Sequence, residues 1–398
     1  MISRKEFDAY NRQVAGLGDK AASNVEKSIM GWCKEHGDAT VAEKREAAKV
    51  IMDGFVQAYD DEAARFAADW YDYRAELGGA RLDQALTMTT YSPESVDEVA
   101  RYQAKKLVKE GDAAFAKACG EYARNDLFRS LNETIIANVG RDRDKGARFA
   151  RVPTGFETCA FCLMLASRGA VYHSRKAAGE FRHFHRNCDC KVVPSFEDDP
   201  EAELVEGVRP RELYERMRLM EKQTGLSFDD SKASRKLSEF IALHDEDWLL
   251  TGKVPEVGYV DEATKAKKIK DKDHPAEVRV ANRLCAHGFR AVFVDDEVAV
   301  LNEETGRLQI VGLPDLDTGL EIKNVSSAKS ENTISKHIGK AKKKRGFKQI
   351  VIDVSENDNL SDEEARLMIA SSLRRHSMLS ALMINHRGEI ETIFYQQK

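Results

Sequence analysis

The chain lacks any apolar run long enough to cross a bilayer. Its first residues, Met1-Ile2-Ser3-Arg4-Lys5-Glu6, form no hydrophobic signal segment. From these absences we expect no signal peptide and no membrane partner. A strong net charge is missing too: 62 Lys and Arg stand against 67 Asp and Glu, a balance of −5. Such a chain is no indiscriminate binder of nucleic acid. There is no internal repeat and no long low-complexity tract. The seven cysteines do not make a disulfide scaffold, since Cys33, Cys119 and Cys285 stand alone, and lone thiols fit a reducing compartment.

At 398 residues, two or three domains are expected. The N-terminal region, 1–150, reads as helix. Ile51, Phe55, Tyr59, Ala63, Phe66 and Trp70 recur every three or four residues, the spacing of an apolar helical stripe. Val108, Phe115, Cys119, Tyr122, Leu127 and Leu131 mark another long helical stretch. Such stripes are bundle seams, and nothing between Met1 and Gly140 looks catalytic.

A Cys/His module is expected over 151–195. Cys159-Ala160-Phe161-Cys162 is followed by His185-Arg186-Asn187-Cys188-Asp189-Cys190. Thiolate and imidazole at this spacing suit tetrahedral Zn²⁺, held by four of Cys159, Cys162, His185, Cys188 and Cys190. Buried reduced thiols or a redox pair are the alternatives. A charged, helical linker region over 196–260 begins with the acidic run Glu197 to Glu203.

The last part, 261–398, carries the sharpest pattern, Leu313-Pro314-Asp315-Leu316-Asp317-Thr318-Gly319-Leu320-Glu321-Ile322-Lys323. In a strand, residues two apart share a face, so Glu321 and Lys323 project together. If the two runs pair as a hairpin across Gly319, Asp315 joins them. Two carboxylates and an ammonium then converge, the set that metal-assisted phosphodiester cleavage needs: acids for a hard cation such as Mg²⁺, a lysine for an attacking water or the phosphate. Upstream, Asp273 can cap a helix starting near Pro275 that places Glu277 beside its apolar face. Strands are expected over 289–294, 308–313, 320–325 and 349–354, and helices over 333–344 and 362–374. A hairpin around Arg387-Gly388 closes the chain. From Lys323 to Lys348 there are nine basic residues and one acid, Glu331. Among them, Lys340, Lys342, Lys343, Lys344 and Arg345 are expected to form a stripe that tracks a phosphate backbone.

Two family resemblances follow. Glu277, Pro314-Asp315 and Glu321-Ile322-Lys323, with this order of elements, resemble the core of the PD-(D/E)XK nuclease superfamily. His274-Pro275-Ala276-Glu277 and Lys348-Gln349-Ile350-Val351-Ile352-Asp353 look like the tRNase toxin domain of contact-dependent growth inhibition proteins. This implies an α/β domain with a central mixed sheet, a catalytic set of Glu277, Asp315, Glu321 and Lys323, tRNA as substrate, and a cognate immunity protein. Val152-Pro153-Thr154-Gly155, Cys159-x-x-Cys162, Leu165-Ala166-Ser167-Arg168-Gly169 and the Cys188-Asp189-Cys190 string resemble phage minor capsid proteins related to the Mu head-morphogenesis protein. That implies portal or capsid partners.

The combined expectation is a multidomain α+β protein, virion-associated or acting in a target cell's cytoplasm, that cuts tRNA with a divalent cation. A DNA endonuclease of the same fold and a non-enzymatic capsid protein that binds nucleic acid are the alternatives.

Overall fold

The computed structural model describes residues 1–154, 158–174, 190–302 and 307–395. They divide into two compact units, Met1–Tyr214 and Glu215–Lys398. The chain is mixed α+β, helical at first, with its largest sheet in the second unit.

The first unit starts with α1 (Arg4–Glu35) and α2 (Val41–Leu77), followed by α3 (Pro93–Gln103), α4 (Lys105–Lys109) and α5 (Asp112–Arg141). Local chemistry sets the starts. Ser3 with Glu6 and Thr40 with Glu43 form reciprocal capping boxes, and Pro93 opens α3 behind the Ser92 cap. Helices α1, α2 and α5 pack together. The crossing of α1 and α5 requires Gly120, because a Cβ there would stand 2.5 Å from the Ala22 carbonyl oxygen.

The buried face of α2 differs from the expected stripe. Met52, Val56, Asp60, Ala63, Ala64, Ala67 and Trp70 are buried, whereas Ile51, Phe55, Tyr59 and Phe66 are half-buried at the rim. Val108 is exposed and lies on α4, cut off from α5 by Gly111 at φ 87°.

Two devices hold α5 in place. Asn138, Thr134 and Ser130 stand four apart on it and grip an extended segment. Leu86 N–H donates to Asn138 Oδ1 (2.9 Å), Met88 N–H to Thr134 Oγ1 (3.0 Å) and Thr90 N–H to Ser130 Oγ (2.7 Å). One step further along, two carboxyls are buried, Asp60 on α2 and Asp126 on α5. Ser130 Oγ donates to Asp60 Oδ2 (2.7 Å), and Arg129 reaches Asp126 Oδ1 (3.1 Å). Burial, then the Asp126 charge, push Asp60 up to about 8; burial also raises Asp126, against the pull of Arg129. Neither Asp60 Oδ1 nor Asp126 Oδ2 meets a donor among the described residues, and both carboxyls hold their protons more tightly than free ones.

Strands β1 (Arg148–Val152) and β2 (Lys191–Ser195) pair antiparallel, with α6 (Ala160–Ala166) packed on β1; α7 (Pro210–Thr224) crosses the boundary between the units.

The second unit continues with α8 (Ser234–Ile241), α9 (Glu246–Thr251), β3 (Gly258–Tyr259), α10 (Glu262–Lys268), α11 (His274–Ala286), β4 (Val292–Phe293), β5 (Glu297–Asn302) and β6 (Arg307–Gly312). Then come β7 (Leu320–Asn324), α12 (Glu331–Ala341), β8 (Gln349–Asp353), α13 (Asp362–Arg375), β9 (Ser380–Ile384) and β10 (Ile390–Phe394). The main sheet has the order β10-β9-β8-β7, with β7, β8 and β9 parallel and β10 antiparallel to β9. Ile334 and Ile338 of α12 and Ile369 and Leu373 of α13 cover Ile350 and Ile352 of β8. The segment read as a charged linker contributes core: Phe240 and His244 pack on Phe289, and burial pushes His244 down to about 4.

Several expectations need correction. The run before Asp315 does not pair with the run after it. β6 pairs with β5, whose alternating apolar residues at Val298 and Val300 were not read as a strand, and β7 pairs with β8. The helix expected to reach Lys344 ends at Ala341. The strand expected over 289–294 shrinks to β4. Asp273 stands at the cap of α11 without a side-chain cap bond, while its own N–H donates to Asp271 Oδ1 (2.9 Å).

The buried acid pair gives a prediction. Asp60 binds its proton more tightly in the folded chain than in the unfolded one. Its contribution is therefore fully present below about pH 4 and is lost as the pH rises through about 8. Asp60→Asn removes the charge and keeps an acceptor for Ser130. It should stabilise the first unit by roughly 1–3 kcal/mol at pH 8 and flatten its stability between pH 5 and 8, as read by thermal unfolding across that range.

Candidate functional site

The turn between β6 and β7 is fixed by backbone bonds rather than by strand pairing. Val294 N–H donates to the Asp315 carbonyl (3.1 Å), Asp317 N–H to that of Val292 (2.9 Å), and Leu316 N–H to that of Leu320 (3.1 Å). Gly319 closes the turn at φ 85°, and a Cβ there would lie 2.6 Å from the Gly346 carbonyl oxygen. Asp315 is thereby folded back onto β7, where its Oδ2 accepts the Ile322 N–H at 2.7 Å.

Asp315 and Glu321 are buried, 2% and 1% exposed. A carboxylate held that far from water must find cations or donors, and both do. Glu321 Oε1 meets Lys323 Nζ and Oε2 meets Lys344 Nζ, each at 2.7 Å. Asp315 lies 3.6 Å from Lys323, 3.8 Å from Lys344 and 4.0 Å from Lys268. Burial pulls the Lys323 ammonium down, but Asp315 and Glu321 outweigh it and hold it above the usual lysine range.

Glu277 projects from α11 into the same electrostatic neighbourhood. Burial, then the Asp315 charge, raise it to about 7, with Lys268 and Lys323 opposing. Its Oε2 lies 3.4 Å from His274 Nδ1, and His274 Nε2 lies 2.9 Å from the Tyr259 hydroxyl. Burial, then the Lys268 charge, lower His274 and keep the ring neutral. A neutral ring that accepts from Tyr259 carries its proton on Nδ1, facing Glu277.

The four residues expected to act together, Glu277, Asp315, Glu321 and Lys323, thus occupy one site. Sequence reading missed Lys268, His274 and Tyr259. Lys268 is 3% exposed, with its ammonium 2.5 Å from Asp296 Oδ1. In sequence it is one lysine among several, and only its burial at the end of α10 reveals it. The basic stripe is also redrawn. Lys344 turns inward onto Glu321, whereas Lys340, Lys342, Lys343 and Arg345 are exposed. The last three lie beyond the end of α12, so the stripe is a helix end and a turn rather than one helix face.

Of the expected thiol and imidazole ligands, Cys159, Cys162 and Cys190 lie among the described residues; His185 and Cys188 lie outside them. Among the described residues, no group of three or more His, Cys, Asp or Glu side chains stands ready around a metal position. No helix among them is long and apolar enough to cross a membrane.

The comparisons concern mainly the first unit. The VG15 protein family matches residues 1–220, more than half of the chain. The Gene 15 protein of Mycobacterium phage L5 is 36% identical over a stretch covering 12% of this chain and 29% of that protein. The Gene 15 protein of Mycobacterium phage D29 is 38% identical, covering 12% and 28%. The chain thus spans less than a third of the length of these relatives. No solved structure matches. The carboxylate–lysine site lies beyond the matched residues, and the chain belongs to the VG15 protein family, a phage-associated protein by its relatives.

Proposed function

We propose that the second unit is an endonuclease of the PD-(D/E)XK type that cuts RNA, with tRNA as its favoured substrate, and that the chain is a phage-borne toxin whose first unit serves a virion. The observation that carries this reading is the pair of buried carboxylates, Asp315 and Glu321, sharing two lysine ammoniums beside a turn of exposed lysines.

Two oxygen-only carboxylates would suit a hard divalent cation once the lysine ammoniums that hold them give way. Asp315 and Glu321 offer oxygen alone, and the lysines mark where positive charge is needed. Asp315 and Glu321 would hold Mg²⁺, with Glu277 completing or orienting its shell. The ion would supply Lewis-acid polarisation and a more acidic water. The chain's own groups do the rest. Lys323 meets charge on the scissile phosphate. Lys340, Lys342, Lys343 and Arg345 align the backbone of the substrate.

Duplex DNA presents the same phosphodiester, and the resemblance of the Cys/His stretch to phage minor capsid proteins supports a virion role for the first unit. Portal or capsid proteins are therefore proposed partners of that unit. A cognate immunity protein would be required wherever the toxin is made. Incubating the full chain with tRNA and with duplex DNA, with and without Mg²⁺, separates the readings. Cleavage of tRNA alone supports the toxin; no cleavage of either leaves the second unit a binding module.

Asp315→Ala and Glu321→Ala should each lower tRNA cleavage by about 10²-fold or more. Lys323→Ala should lower kcat more than it raises KM, because its gain comes as charge develops. Asp317→Ala serves as the control. Its carboxylate pairs with Arg290 at 2.7 Å on the outer side of the turn, and the variant should keep most activity. Wild-type rates in folded Glu321→Ala and Lys323→Ala would refute the reading.

Lys268 opposes the rise at Glu277. Lys268→Met should move the Glu277 titration in the metal-free chain further above about 7, read by NMR titration of its carboxyl carbon. Lys342→Glu with Lys343→Glu should weaken tRNA binding and flatten its salt dependence, by roughly one unit of slope for each phosphate no longer neutralised. Binding measured across a salt series reads this directly.

A further inference from the structure

Strand β4 is two residues long, yet both of its edges are taken. On one edge it pairs in parallel with β3, Gly258 opposite Val292 and Tyr259 opposite Phe293. On the other its backbone carries the Asp315 turn, through Val294 N–H to the Asp315 carbonyl, Asp317 N–H to the Val292 carbonyl and the bridge of Phe293 to Leu316. Tyr259 and Asp315 are thus fixed to one strut.

Phe293 of that strut is buried, and three side chains pack on its ring. Tyr259 stacks on it at 5.6 Å between centroids, His274 meets it edge-on at 4.9 Å, and the Lys268 ammonium lies over it at 5.6 Å. His274 opens α11 and is itself buried. Packing fixes where its ring lies; hydrogen bonds fix how the ring is turned. The Tyr259 hydroxyl stands 2.9 Å from Nε2, which leaves Nδ1 aimed at Glu277 Oε2, 3.4 Å away and one turn along the same helix. An ionised carboxylate only accepts, so Nδ1 carries a proton toward Glu277 whether the ring is neutral or charged. The second bond is long, as catalytic hydrogen bonds often are before substrate tightens them.

We propose that Tyr259 and His274 are positioning residues for Glu277, committing its Oε2 to the imidazole and leaving its other oxygen to the reaction centre. This role rests on the nuclease reading of the site. A glutamate on a helix has several staggered rotamers open to it, and the neighbouring Asp315 charge repels this one. A fixed donor at Oε2 keeps the carboxylate where the repulsion would displace it. Because the same strut carries the Asp315 turn, Glu277 is held in register with Asp315 rather than with its own helix alone. Partners that orient a working carboxylate in this way are worth about 10–100-fold in activity.

The test measures cleavage of tRNA and duplex DNA by the full chain with Mg²⁺, beside a readout that needs no cleavage. Tyr259→Phe keeps the ring on Phe293 and removes only the hydroxyl; it should lower kcat about tenfold with KM held within about twofold. His274→Asn puts its amide nitrogen near the place of Nδ1 and keeps a donor for Glu277, so it should retain most of kcat. His274→Gln carries its amide out to the level of Nε2, facing Tyr259, and should lose about 10–100-fold. A role in packing alone would not rank the two amides in that order. In the substrate-free chain at about pH 8, the imidazole ¹⁵N spectrum should show His274 protonated at Nδ1, its signals assigned by their loss in His274→Asn. Tyr259→Phe should shift the Nε2 signal. A wild-type chain that cuts, while folded Tyr259→Phe and His274→Gln cut at the same rate, overturns the positioning role and leaves the nuclease reading standing. So do equal rates in the two amide variants, or a ring protonated at Nε2 alone. A wild-type chain that cuts neither substrate removes the nuclease reading and this role with it.

Discussion

Asp315 and Glu321 are held out of water, and much of the second unit answers to that constraint. Removing one partner of a buried ion pair typically costs about 3–5 kcal/mol, more than most single hydrogen bonds contribute, so their cations must be placed with care. Lys323 comes from the same strand as Glu321, Lys344 from the turn after α12, and Lys268 from the end of α10. The Ile322 N–H, given by the edge strand β7, takes an oxygen of Asp315. Each interaction fixes an element: the Gly319 turn, the loop from Ala341 to Gly346, and the register of α10 against Phe293, over whose ring Lys268 lies at 5.6 Å. Such charges would be poor building material if stability were the only demand, since apolar residues of like volume serve as well or better. Their presence at one place is the physical reason to read that place as a site.

The first unit meets the same problem differently. Asp60 and Asp126 are buried with a single cation, Arg129, and burial raises both so that Asp60 titrates only at about 8. The pair is joined through Ser130 to the extended segment that Thr134 and Asn138 also grip. Protonation and the seating of that segment are therefore parts of one hydrogen-bonded chain. Where lysines neutralise, as in the second unit, charge separation survives and can act on a phosphate. Where a proton neutralises, the result is a structural contact sensitive to pH.

Much of this was legible in the sequence, for reasons that particular residues make plain. The apolar spacing of α5 and the alternation of β7 and β8 are local signals, and the elements they predict are present. Glu321 and Lys323 share a face because a strand has a period of two. What failed was non-local. Asp60 has the appearance of a surface acid within a helix, and only the approach of α5 buries it. Lys268 lies far from Asp315 in sequence, and a lysine among lysines announces nothing. The expected β6–β7 hairpin gave way because β5, the strand before it in the chain, offers β6 six paired positions from Glu297 to Asn302. The Asp315 turn is instead held by the backbone of β4.

The VG15 match ends at residue 220, a few residues past the boundary between the compact units at Tyr214. The family relationship and the independently packed first unit therefore describe nearly the same stretch of chain. The polar ladder on α5 and the acid pair belong to that stretch; the carboxylate–lysine site does not. The chemistry of the second unit must accordingly be argued from its own residues. There the weight rests on one arrangement, two buried carboxylates whose cations are lysines already facing a surface rich in positive charge.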